Sequence, residues 1–162
     1  MIHQAEFSLC ERYRYWLGRS WLFGAGMVTW VLLNPSTADA QVDDPTIRRC
    51  IRFSQHWGYQ RMSVVNLFAF RSTSPSKLLA ESDPIGPDND SFILKSAISA
   101  DIVVVGWGNN GTLMNRDNDV MSLLFSAGIT PSALDVTKSN SPKHPLYVKY
   151  DKKLFPYING AV

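Results

Sequence analysis

Met27-Val28-Thr29-Trp30-Val31-Leu32-Leu33 runs directly into Asn34-Pro35-Ser36-Thr37-Ala38-Asp39. A short apolar run bounded by turn-forming residues reads as a strand buried on both faces. Such a strand belongs in an open α/β sheet, where ligands bind in the crevice beyond the carboxyl ends of the strands. Two further stretches repeat the pattern. Val64-Val65-Asn66-Leu67-Phe68 leads to Arg71 and Thr73, and Ile102-Val103-Val104-Val105 leads to Gly106-Trp107-Gly108-Asn109-Asn110. Three apolar strands that each end in polar residues predict one shared site.

Between these strands the chain reads as helix. Asp44 is a good N-cap and Pro45 fits the first helical position, so a helix begins there and stops at Gly58. Further helices are expected near 88–99 and 114–127, with a short one at 76–80. Strands are expected near 62–68, 102–106 and 132–136. Residues 71–89 form a long, proline-punctuated section, and loops of that length inside a domain are often functional. Alternation of bulky and charged residues around Gly18, from Arg12 to Trp21, reads as a β-hairpin or edge strands. Its arginines either face solvent at a protected edge or form one wall of an anionic site. The expected fold is a single domain over 1–162. It is a three-layer α/β/α arrangement with a central, mostly parallel four-stranded sheet and an N-terminal β-hairpin.

The composition narrows the function. At 162 residues, 45% hydrophobic and 19% charged, the chain has the make-up of an ordinary globular domain. A chain of this size buries roughly two-thirds of its unfolded surface and needs no disulfide or metal to fold. The net charge of +2 neither requires nor excludes a nucleic-acid partner. Cys10 and Cys50 cannot supply an iron–sulfur cluster, and His3, His56 and His144 show no zinc-ligand spacing beside them. No cofactor is expected. There is no signal-peptide layout and no apolar run of the roughly 20 residues that cross a membrane. A cytoplasmic protein with no membrane partner is the expectation, with the oligomeric state open.

Several residues are candidates for chemistry. Asn34 offers both donor and acceptor groups at a strand end, suited to orienting a water or reading a base edge. Pro35, Ser36 and Thr37 share its turn. Asp39 is a candidate general base, whereas Asp44 reads first as a helix cap. Arg71 suits a phosphate or carboxylate, with a salt bridge to Asp83 as the structural alternative. Trp107 and Tyr147 offer stacking surfaces, with burial in the core as the alternative for Trp107. Lys143 and His144 sit in a rigid loop between Pro142 and Pro145, where a neutral imidazole can donate a hydrogen bond to a carbonyl oxygen or a leaving group. Ser36 with His144 lacks the elbow of a serine hydrolase. No P-loop or dinucleotide fingerprint is present.

Two resemblances follow from these residues. Asn-Pro-Ser-Thr-Ala-Asp (34–39), Asp-Pro-Thr-Ile-Arg-Arg-Cys (44–50), Asn-Leu-Phe-Ala-Phe-Arg (66–71), Asp-Pro-Ile-Gly-Pro-Asp-Asn-Asp (83–90) and His-Pro-Leu-Tyr (144–147) resemble a bacterial and phage family known only as a domain of unknown function. More distantly, the order of elements is similar to the uracil-DNA glycosylase superfamily. Leu33-Asn34-Pro35-Ser36 resembles its first motif. The Asn66 strand leading to Pro75 resembles its second strand, and Lys143-His144-Pro145-Leu146 its His-Pro-Ser loop. The resemblance implies that Asn34 positions the attacking water, that His144 stabilises the departing base and that the loop around it touches the DNA minor groove; the strand-end pattern adds Asn66, Arg71 and Thr73 to the site. The base would leave its stack for a pocket.

The function expected is hydrolysis of a nucleobase N-glycosidic bond in DNA or a nucleotide. One alternative is a non-catalytic nucleic-acid or nucleotide binder. It predicts a continuous basic surface from Arg12, Arg14, Lys143, Lys149 and Lys152. The other is a metal-dependent phosphoryl-transfer enzyme, which needs Asp39, Asp44 and Asp83 to converge.

Overall fold

The computed structural model describes residues 1–158. Seven strands form one mixed sheet: β1 (Ile2–Phe7), β2 (Arg14–Ser20), β3 (Met27–Leu32), β4 (Arg61–Asn66), β5 (Ile102–Val105), β6 (Ser132–Ala133) and β7 (Phe155–Pro156). Four α-helices accompany them: α1 (Pro45–His56), α2 (Pro75–Ala80), α3 (Asn89–Ser99) and α4 (Arg116–Ser126). The strand order is β1-β2-β4-β3-β5-β6-β7. The inner run β4-β3-β5-β6 is parallel throughout, and antiparallel strands flank it on both sides.

β3 sits in the middle because it is apolar on both faces. Val28, Trp30 and Leu32 pack with Ile47, Cys50 and Phe53 of α1. Val31 points the other way, to Ile93 and Ala97 of α3 and to Val120, Met121 and Leu124 of α4. Helices therefore cover both faces of the sheet. The buried polar side chains of β3 and α1 are satisfied internally. Thr29 donates to the Ser96 carbonyl at 2.9 Å, and the Trp30 indole donates to Ser54 at 3.0 Å. α1 begins as its sequence predicts, with the Asp44 carboxylate accepting the Ile47 amide at 2.9 Å and Pro45 in the first turn.

The sequence predicts a mostly parallel four-stranded sheet plus an N-terminal hairpin, and in the structure these join one seven-stranded sheet. The difference lies at the two ends. The hairpin is not folded about Gly18. β2 is one continuous strand whose hairpin partner is β1, and Gly18 lies within it. A Cβ there would fall 2.3 Å from the Trp16 ring, so the glycine is needed to let that indole lie across the strand. β2 then pairs antiparallel with β4 and joins the main sheet. At the far end, the strand expected over 132–136 is only two residues long, and Val136 is held instead by an isolated bridge to Pro142.

Candidate functional site

From β3 the chain crosses to β4 on one side and then, past β3, to β5 on the other. The carboxyl end of β3 is thus the point where the strand order reverses, the usual position of a ligand crevice. A cavity of about 400 Å³ opens there, a volume within the roughly 300–1,000 Å³ range of small-molecule sites. It is walled by the turn after β3, the start of α1, the end of β4, residues 72–75, the turn after β5 and the His144–Tyr147 segment.

Asn34 stands at the head of this cavity. Its Nδ2 donates to the Ser72 carbonyl at 2.9 Å and to the Pro35 carbonyl at 3.2 Å. Two carbonyl partners require the amide nitrogen on that side, which leaves Oδ1 as the acceptor available to a ligand. The Ser72 amide in turn donates to Pro35 at 3.0 Å, so the two loops are fastened together. Asn66, 2% exposed at the end of β4, also lines the cavity, and its Nδ2 has no hydrogen-bond partner. Asn89 locks that strand end by donating to the carbonyls of Asn66 and Leu67 at 2.9 and 3.0 Å.

His144 reaches the cavity because its loop is pinned from three sides. The Gly108 amide donates to Pro142 at 2.8 Å, and the Lys143 amide to Asp135 at 2.9 Å. Gly106 carries no side chain where Pro145 and Lys143 approach to within 3.2–3.3 Å of a would-be Cβ. From below, Arg49 donates to the Pro145 carbonyl at 3.2 Å and to the Val148 carbonyl, and stacks 3.8 Å over the Tyr150 ring. His144 Nδ1 accepts the Leu146 amide at 3.2 Å. The neutral ring therefore carries its proton on Nε2, a donor left free for a ligand. Burial pushes the imidazole pKa down to about 4, with the Asp44 carboxylate opposing. The ring is neutral near pH 7. Tyr147 stands beside it, ring centroids 5.9 Å apart, 73% exposed at the rim.

Of the sequence candidates, Asn34, Pro35, Ser36, Asn66, Thr73, Trp107, His144 and Tyr147 meet at this cavity. Thr37, Asp39, Arg71 and Lys143 lie outside its lining. Asp39 accepts the amides of Gln41 and Val42, both at 2.7 Å, and these hold its carboxyl below the usual range. It shapes its own turn and is not placed as a base. Arg71 lies over the Phe7 ring, 4.8 Å from the centroid, and not beside Asp83. Asp83 instead caps the Gly86 amide at 3.0 Å. Trp107 is 2% exposed and meets Tyr157 edge-on, so its ring is part of the core and not an open stacking platform. Asp39, Asp44 and Asp83 each serve backbone amides, and among the described residues no group of three or more His, Cys, Asp and Glu is placed to hold a metal ion. The basic surface expected of a binder is interrupted. Arg14 is buried, Arg12 pairs with Glu81, and Lys152 pairs with Asp135 at 3.5 Å.

Sequence reasoning missed Ser72, Ser74 and Thr46 as lining residues, whereas Asn109 and Asn110 line the cavity as the strand-end pattern suggests. It also left Arg14 between solvent and an anionic wall, whereas the structure buries it in the cavity wall. The supports Asn89 and Arg49 had no signal, because their partners are 22 or more positions away.

The fold and site define an α/β protein with a polar, partly preformed cavity at the strand-order reversal. The chain matches the model of a family described as a protein of unknown function (DUF1643) over residues 14–146, and it belongs to that family. No curated protein and no solved structure matches it. No helix among the described residues is long and apolar enough to cross a membrane.

Proposed function

We propose that this cavity hydrolyses the N-glycosidic bond of a nucleobase in DNA or a nucleotide, on a domain akin to the uracil-DNA glycosylases. The observation that carries the reading is that Asn34, after β3, and a neutral His144, in the loop that follows β6, line one cavity though far apart in the chain. The 2-1-3-4 order of the parallel strands β4-β3-β5-β6 also favours it. In the reaction, Asn34 Oδ1 holds a water against the anomeric carbon. The carbon–nitrogen bond breaks and its electron pair leaves with the base. His144 Nε2–H donates to the base oxygen on which that charge collects, and Asn66 Nδ2 is a second donor for the base edge. Water gives its hydroxyl to the sugar and its proton to the base. Donors set in place before the reaction stabilise developing charge without reorganising, and removing one costs about 10²–10³ in rate.

The test is cleavage of oligonucleotides, single- and double-stranded, that carry uracil, hypoxanthine or an oxidised base. Alkali converts each abasic site to a strand break. Breaks are expected with the unaltered protein, reduced about 10²–10³-fold in Asn34→Ala and His144→Ala. Folded, base-binding protein that breaks no strand on any of these substrates would refute the reaction and leave a binding module.

A further inference from the structure

A second feature of the cavity is not used by that chemistry. Arg14 opens β2, and the antiparallel pairing of β2 with β4 brings it to the carboxyl end of β4, where its amide donates to the Ala69 carbonyl at 3.0 Å. It is 2% exposed, yet it lines the cavity. Its Nη1 donates to the Ala38 carbonyl at 2.9 Å, and its Nε has no acceptor. A guanidinium presents five N–H donors and stays charged. Among the described residues Arg14 forms no ion pair, and the carboxylates near it are committed elsewhere. Asp43 pairs with Arg19 at 2.9 Å, Asp44 accepts the Ile47 amide, and Asp39 accepts those of Gln41 and Val42. Burial pushes the Arg14 pKa down to about 10; the Asp44 and Asp39 carboxylates oppose the shift without pairing with it, and Arg71 and Arg19 add to it.

Arg19, five residues along the same strand, shows what a structural arginine looks like here. It donates to Asp43, to the Asp39 carbonyl at 2.7 Å and to the carbonyls of Gly18 and Gln4. Arg14 has one neutral carbonyl. A buried guanidinium with carboxylates in its field but none paired to it is costly to the fold unless something supplies a direct counter-charge.

We propose that Arg14 is the anion-holding residue of the cavity and that the ligand presents a phosphate oxyanion to it. The proposal deepens the glycosidic reading and rests on it only for the choice of a nucleotide. The phosphate is either the monoester of a free or terminal nucleotide or a diester of a strand backbone. A planar guanidinium suits both.

Calorimetry with deoxyuridine, dUMP and a trinucleotide holding its uridine between two phosphodiesters tests it, alongside Arg14→Met. Wild type is expected to bind at least one phosphorylated probe about ten- to hundredfold more tightly than deoxyuridine, the range for a hydrogen bond to a charged group. Arg14→Met is expected to lose that preference while its ligand-free Tm equals or exceeds the wild-type value, since an uncompensated charge has been removed. A stronger dUMP signal identifies the monoester, and a stronger trinucleotide signal the backbone. Equal affinity for deoxyuridine and both phosphorylated probes overturns the proposal, as does a preference that survives in Arg14→Met. If Arg14→Met does not fold, Arg14→Lys is read in its place: a weakened preference supports the assignment and an unchanged one defeats it. These readouts need no turnover. A phosphate preference without strand cleavage removes the reaction and keeps the anion site; cleavage without the preference does the reverse.

Discussion

His144 keeps its ring neutral by burial, and the Leu146 amide fixes which nitrogen carries the proton. Two consequences can be measured. The Cε1 proton of His144 is expected to hold its NMR shift from pH 8 down to about pH 5, because the folded pKa of about 4 lies below that range. The stability effect has a definite sign. An unfolded histidine takes up its proton near pH 6.5, and the folded one only near 4, so between these values the unfolded chain binds more protons. This residue's contribution is complete above about 6.5 and is lost progressively as pH falls toward 4. His144→Ala should flatten that part of the denaturation–pH curve, and an unchanged slope would place the titration elsewhere. At the same scale, Arg14 and Arg19 are indistinguishable as letters in an alternating strand. Only the strand pairing separates the one wrapped in acceptors from the one left nearly bare.

The elements themselves were largely readable. β3, β4, β5 and α1 follow from apolar runs and from the Asp44-Pro45 start, because burial on two faces and helix capping are local patterns. What was not readable is equally physical. β6 is short because the polypeptide leaves the sheet at Leu134 to carry the His144 loop across the strand ends, a route fixed by the Gly106 approach and by Arg49. The alternation around Gly18 reads as a hairpin or edge strands, and why a glycine stands there depends on the Trp16 ring lying over it. The cap of α1 gives a prediction at this scale. Asp44→Ala removes the acceptor of the Ile47 amide, at a cost of about 1 kcal/mol. For a chain of this size the Tm should fall by roughly 2–4 °C, read by thermal melting. An unchanged Tm would show that water or a neighbour replaces the cap.

Across the whole molecule, the sheet is finished by segments drawn from opposite ends of the sequence. β1 covers the outer side of β2 over six residues, and the two-residue β7 ends the other side. An uncovered β2 would present unpaired amides and carbonyls to other chains. Deleting residues 1–8 should therefore give dimers or larger species by light scattering, and a monomer as stable as the parent would contradict this. The cavity depends on the same arrangement. Arg14, Asn34, Asn66, Trp107 and His144 come from five separate stretches of sequence and meet only when all are in place. During synthesis, β3, α1 and β4 can emerge and pair long before residue 144 leaves the ribosome. A nascent chain released early thus lacks the wall that carries the imidazole, and whatever the strand ends hold in the finished protein meets an open crevice there.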